Sequence, residues 1–150
     1  MVVTAAAIAT ILLVEDNPDD ELLTRRTLKK NNLCNDLVVA RDGAEALDYL
    51  FGMGRYEGRV PDAMPRVVLL DLALPKVDGL EVLRRTRTDE RTKLLPVVIL
   101  TSSSEQEDVL DGHGLGANGY IRKPVHVAQF RAALGQPGMR RMVSTEAPRG

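Results

Sequence analysis

The sequence predicts an α/β fold in which strands and helices alternate around one parallel sheet, and three observations carry that expectation. Five short apolar runs recur at intervals of a helix plus loops: Ile11–Val14, Leu37–Ala40, Val67–Leu70, Val97–Leu100 and Tyr120–Ile121. The first, third and fourth are almost unbroken Val, Ile and Leu, the pattern of strands covered on both faces. The segments between them carry helix-start and helix-stop residues where crossovers need them. Such alternation builds right-handed βαβ units, so the expected architecture is an open sandwich with helices on both sides of the sheet.

The elements follow in order. Residues 1–10 are an Ala-rich extension, and β1 is expected at Ile11–Val14. Asn17-Pro18-Asp19-Asp20 supplies an N-cap, a proline at the first helical position and acids where the helix dipole favours them, so α1 runs from Pro18 to about Asn31. After β2 (Leu37–Ala40), Asp42-Gly43-Ala44-Glu45 opens α2 through Leu50, with Ala46, Leu47 and Leu50 on one apolar face and Gly52 as its stop. A long loop, Gly52 to Arg66, leads to β3 (Val67–Leu70). Helix α3 follows Gly79, with Leu80 and Leu83 facing in and Arg84, Arg85 and Arg87 forming a solvated face. After β4 (Val97–Leu100), the capping box Ser104-Glu105-Gln106-Glu107 opens α4. That helix ends in Gly112-His113-Gly114, where each glycine costs about 1 kcal/mol against Ala in a helix interior, so a frayed last turn is expected. Strand β5 (Tyr120–Ile121) and α5 (Val127 to Leu134) complete one domain over residues 11–134, and 135–150 read as a flexible Pro/Gly-rich tail.

Composition excludes several classes. With 20 Lys plus Arg against 21 Asp plus Glu, no global basic field exists to collect nucleic acid or an anionic membrane. The apolar runs fall far short of the roughly 20 residues that span a bilayer. The one cysteine, Cys34, cannot close an internal disulfide, which fits a reducing cytoplasm.

Ligands of an open parallel sheet bind beyond the carboxyl ends of its strands. There stand Glu15 and Asp16 after β1, Asp71 after β3, Thr101 after β4 and Lys123 after β5. Three converging carboxylates repel one another and call for a cation, and an all-oxygen donor set selects a hard ion, Mg²⁺ first. A neutralised cluster lets a carboxylate attack phosphorus while the metal and Lys123 take charge on the phosphoryl oxygens. Asp71 is the best nucleophile because it ends the most apolar run; Glu15 and Asp16 suit the metal, and Thr101 can donate to a phosphoryl oxygen.

Four motifs in register, Val14-Glu15-Asp16-Asn17, Leu69 to Gly79, Val98 to Ser102 and Gly116 to Pro124, resemble the receiver domain of two-component response regulators over about Ile11 to Leu134. The resemblance implies a (βα)5 flavodoxin-like three-layer sandwich with strand order 2-1-3-4-5. It implies that Asp71 is the phosphoacceptor, that Glu15 and Asp16 are the acidic pair at a Mg²⁺ site, and that Ala73 gives a metal ligand through its backbone carbonyl. By the same carry-over Thr101 is the switch hydroxyl, Tyr120 the switch aromatic, Lys123 the phosphoryl-binding lysine, and Pro124 follows a cis peptide bond. A Glu-Asp pair stands where Asp-Asp is commoner; Asp16 is expected as the direct ligand, with Glu15 acting partly through water. Ala73 and Ser103 are small and uncharged at positions that modulate phosphoryl lifetime in the family.

The chain ends after α5 and its tail, so a separate output domain is not expected. The loop after Tyr49-Leu50-Phe51 and the Thr101 to Glu105 segment are similar to the single-domain subgroup that pairs with phytochrome-type histidine kinases. That likeness implies a phosphoacceptor signalling protein rather than an enzyme, with self-phosphorylation and autodephosphorylation chemistry. Its partners would be a sensor histidine kinase and a downstream or phosphotransfer protein. It also implies a homodimer through the α4-β5-α5 side, to which Val125, Val127, Phe130 and Leu134 can offer apolar contact. The alternative is a phosphorylation-independent binding module of the same fold. A phosphatase of the haloacid dehalogenase type needs a second Asp two residues past the nucleophile, where Ala73 stands. A flavin carrier would meet Glu15, Asp16 and Asp19 where its cofactor phosphate binds, and carboxylates repel it. His113 and His126 read as cap or surface residues, and Gly43 and Gly79 as ordinary helix-opening turns.

Overall fold

A computed structural model of the chain describes residues 8–58, 64–72, 79–102 and 116–134. Its strands are β1 (Ile8–Val14), β2 (Cys34–Ala40), β3 (Val67–Asp71), β4 (Val97–Thr101) and β5 (Gly119–Arg122). They form one parallel sheet in the order β2-β1-β3-β4-β5, as expected. The helices are α1 (Pro18–Lys30), α2 (Gly43–Phe51), α3 (Gly79–Thr88) and α5 (Val127–Leu134). The expected α4, with His113 and its flanking glycines, lies outside the described residues, as do Ala73, Ser103 and the tail from residue 135 onward.

Alternation along the three central strands builds two separate cores. Leu12 and Val14, Val68 and Leu70, and Val97 and Ile99 face Ala46, Leu47 and Leu50 of α2 and Val82 and Leu83 of α3. Ile11 and Leu13, Val67 and Leu69, and Val98 and Leu100 face Leu28 of α1 and Phe130 and Ala133 of α5. Every residue of β3 and β4 is buried, so helices must cover both sides of the sheet.

Each strand outruns its apolar run, β3, β4 and β5 by one or two residues and β1 and β2 by three. β1 takes in residues 8–10 of the expected extension and β2 begins at Cys34, with Ile8 paired to Cys34 and Thr10 to Asp36. β2 is an edge strand, where an exposed Asp36 is tolerated while the backbone ladder continues. The loop after α2 also holds a 3-10 turn, Gly54–Tyr56, too short to show as a periodic pattern in the sequence. It folds back along α2: the Tyr56 ring stands edge-on to Tyr49, with centroids 5.0 Å apart, and its hydroxyl donates to Glu45 at 3.0 Å. Gly54, at φ +55°, lies where a Cβ would meet the Asp48 carboxylate at 2.6 Å.

Candidate phosphoryl site

Strand register assembles the site. Val14 lies level with Leu70, so the next residues, Glu15 and Asp71, emerge side by side. Asp71 is level with Leu100, and Thr101 with Arg122, which brings Thr101 and Lys123 to the same edge. Glu15, Asp71 and Lys123 continue the alternation of Leu13, Leu69 and Ile121, so they rise on the side of the sheet covered by α1. Helix α1 begins where Asn17 accepts from the backbone N–H groups of Asp19 (2.8 Å) and Asp20 (3.0 Å). That cap turns the first helical turn over the sheet edge.

The Lys123 ammonium donates to three carboxylates: Asp71 Oδ2 at 2.9 Å, Asp20 Oδ2 at 3.0 Å and Glu15 Oε2 at 3.1 Å. By sequence alone Asp20 is a first-turn acid. Its place beside the acidic pair, on the turn that immediately follows, is the signal that points to the site. Burial works to lower the Lys123 pKa, but the hydrogen bonds it donates to Asp71, Glu15 and Asp20 outweigh it and hold the ammonium above its ordinary value. Burial pushes Glu15 up to about 7, and the neighbouring Asp71 carboxylate adds to the rise against the opposing pull of Lys123.

The donor set suits a hard divalent cation. One oxygen each from Glu15, Asp16 and Asp71 lies within 4.8 Å of the others. Glu15 is fully buried, and its Oε1 sits 3.0 Å from the Lys123 nitrogen yet has no hydrogen-bond partner among the described residues. A buried carboxylate oxygen left in this condition is unfavourable, and a cation facing it and the exposed Asp16 relieves the penalty. Ala73, expected to add a carbonyl, lies outside the described residues.

Thr101 is buried at the end of β4, and its carbonyl accepts from the Lys123 backbone N–H at 2.9 Å. Tyr120 is half-buried and packs against the core shared by α2 and α3, on the opposite side of the sheet from Lys123. The Lys123–Pro124 peptide is cis. Gly79 does more than open a helix: a Cβ there would lie 2.7 Å from the carbonyl oxygens of both Asp71 and Leu72. Side chains larger than hydrogen are excluded where α3 starts against the end of β3.

Two expectations are corrected. Arg87 does not join the solvated face of Arg84 and Arg85, which pair with Glu81. Its guanidinium donates to the carbonyls of Leu95 (2.8 Å) and Gly116 (3.0 Å) and to Asn118 Oδ1 (2.7 Å), because a long side chain at the helix end can reach across to the β4 and β5 entries. Val125 and Phe130 are buried in the core under α1 and α5, and so are not available as dimer contacts; Val127 is only partly buried against that core. The Leu134 side chain lies outside the described residues.

A flavodoxin-like parallel sandwich whose acids and lysine converge at the carboxyl edge of its sheet defines the class of fold and site. Residues 11–135 match the response regulator receiver domain, and the chain belongs to that family. It is 40% identical over 113 residues to the response regulator Rcp1 of Synechocystis sp. (strain ATCC 27184 / PCC 6803 / Kazusa), an alignment that covers 75% of each chain. The structure of Rcp1 in its Mn²⁺-bound form superposes with a TM-score of 0.69 at 37% identity, covering 85% of this chain and 90% of that one. The bacteriophytochrome response regulator AtBRR gives a TM-score of 0.82 at 46% identity, covering 95% and 97% of the two chains. The phosphorylated cyanobacterial phytochrome response regulator RcpA gives 0.71 at 35% identity, with 95% and 98% covered. This protein is therefore a signalling receiver similar to phytochrome response regulators. No described helix is long and apolar enough to cross a membrane.

Proposed function

We propose that this protein accepts a phosphoryl group on Asp71 from the phosphohistidine of a sensor histidine kinase of phytochrome type. The observation that carries the reading is the contact of Asp71 with Lys123 at 2.9 Å beside a carboxylate set fit for a cation. The kinship with phytochrome response regulators, one of them solved in phosphorylated form, supports it.

A carboxylate oxygen of Asp71 attacks phosphorus, the bond from phosphorus to the donor imidazole nitrogen breaks, and that nitrogen keeps the electron pair. Lys123 donates to a phosphoryl oxygen as charge moves onto it. Glu15, Asp16, Asp71 and the Ala73 carbonyl are the groups that would hold Mg²⁺. When bound, that ion offsets the carboxylate charge and polarises the phosphoryl group. Manganese in the Rcp1 structure supports a divalent ion of this kind.

Thr101 then donates to a third phosphoryl oxygen, and Tyr120, level with Ile99 two residues before Thr101 on β4, follows by turning inward. Phosphorylation thereby biases two packings of the α4-β5-α5 face, which a downstream protein, a phosphotransfer partner or a second copy reads in the cytoplasm. With Val125 and Phe130 internal, dimer contacts on that face fall to exposed α5 residues such as Gln129 and Arg131.

The test is incubation with acetyl phosphate, with and without Mg²⁺, reading intact mass. A base-labile adduct is expected that needs the metal and is absent in Asp71→Asn. No adduct under any donor or metal condition overturns the reading in favour of a phosphorylation-independent binding module.

A further inference from the structure

We propose that Asp20 is a positioning residue for Lys123, holding its ammonium in the unphosphorylated site and yielding it when a phosphoryl group arrives. The proposal rests on Asp71 as phosphoacceptor.

An ammonium has three N–H donors. In Lys123 all of them are taken, by Asp71, Glu15 and Asp20. A new bond to a phosphoryl oxygen therefore requires one of the present bonds to be released. The three are not equivalent. The Asp20 side chain is 36% exposed, against 9% for Asp71 and 0% for Glu15. As the donor approaches, and before Asp71 has given up its charge, releasing either Glu15 or Asp71 would leave a buried carboxylate without its ammonium partner, an unfavourable state. Releasing Asp20 hands its carboxylate to water, and an ion pair at such a rim is worth little. The Asp20 bond is thus the one that opens.

The placement makes this specific to Asp20. It stands on the first turn of α1, which overlooks the side of the sheet from which Glu15, Asp71 and Lys123 emerge. Asp19, one residue earlier, is also an exposed first-turn acid, and its neighbour's bond to Lys123 is not shared by it in the described contacts. A loss of charge at Asp19 is therefore the control for a loss of hold at Asp20.

In the transfer step from acetyl phosphate, an Asp71 oxygen bonds to phosphorus while the phosphorus–oxygen bond to acetate breaks, and acetate leaves with the electron pair. Initial rates are measured at several donor concentrations with Mg²⁺ for the wild type and for Asp20→Ala, Asp20→Asn, Asp20→Glu and Asp19→Ala. Asp20→Ala is expected to react about two- to fivefold faster, the range of a partly exposed ion pair. Asp20→Asn should fall between it and the wild type, Asp20→Glu should restore the wild-type rate, and Asp19→Ala should stay close to it.

The second readout is the Lys123 ammonium signal in ¹⁵N NMR of the metal-free protein, which hydrogen bonding protects from solvent exchange. That protection is expected to weaken in Asp20→Ala and to persist in Asp19→Ala. An Asp20→Ala rate at or below the wild type, or an unchanged ammonium signal, overturns the proposal while leaving Asp71 as acceptor. If the wild type takes up no phosphoryl group, the reading of Asp71 fails separately, and the ammonium signal alone decides whether Asp20 holds Lys123.

Discussion

Lys123 and Arg87 each carry a positive charge from a surface element into half-buried surroundings, and they are held in opposite ways. Arg87 is met by neutral groups: two backbone carbonyls within 3.0 Å and the Asn118 amide oxygen, which also accepts from the backbone of Val97. Lys123 is met by the carboxylates of Asp20, Glu15 and Asp71, with Asp16 close by. Burial draws the Arg87 pKa below its ordinary value, whereas the acids around Lys123 reverse the same tendency. The guanidinium fork satisfies oriented dipoles and closes a joint between the end of α3 and the entries to β4 and β5. The ammonium sits in a surplus of negative charge that a divalent cation and a phosphoryl group can redistribute. In the function proposed above, one cation belongs to the architecture and the other to the chemistry.

Truncation tests that contrast most directly. Lys123→Ala should slow phosphoryl uptake about a hundredfold, since it removes a donor aimed at developing phosphoryl charge. Acetyl-phosphate kinetics by intact mass would measure it. Arg87→Ala should instead lower stability by about 2 kcal/mol, because buried carbonyl acceptors lose a charged donor. Urea unfolding checks that figure, and Arg87→Lys should fail to restore it because a point charge cannot span the forked partners. Uptake by Arg87→Ala at a temperature where it remains folded should stay near the wild type.

The smallest effect is a pH dependence confined to the charged site. Glu15 has a folded-state value near 7, above its ordinary 4.5, so the folded metal-free protein retains a proton that the unfolded chain has released between those values. Its contribution to stability is then fully present below about 4.5 and is lost as pH rises through 7. Metal-free Tm should decline across this window, more shallowly in Glu15→Gln, and Mg²⁺ should reverse the trend because the ion binds the deprotonated carboxylate. A Tm profile identical in the wild type and Glu15→Gln would remove Glu15 as its source.

The central strands were legible because burial on two faces leaves runs of Val, Ile and Leu at Ile11–Val14, Val67–Leu70 and Val97–Leu100. So were the strand-end residues, since a parallel sheet sends every strand's successor to one edge. What escaped lies in side chains that act across the fold. Asp20 satisfies the rule for a helix's first turn as well as the site does, and Arg87 is spaced like its surface neighbours while its long stem reaches β5. The start of β2 was missed because Asn35 and Asp36 break the apolar run, although an edge ladder needs only backbone on that side. Val125 and Phe130 suited either an interface or an interior, and only the packing of α5 decides between them.

Gly79 has a consequence for how this protein can change over generations. Its N–H donates to the Leu72 carbonyl at 3.3 Å, and its bare α-carbon lies against the end of β3, so the chain leaves the sheet at residue 72 and returns to nearly the same point at 79. No side chain fits at that point, so the end of β3 and the start of α3 can move only together. A lineage that keeps this fold therefore keeps glycine at 79, whatever else it exchanges around it.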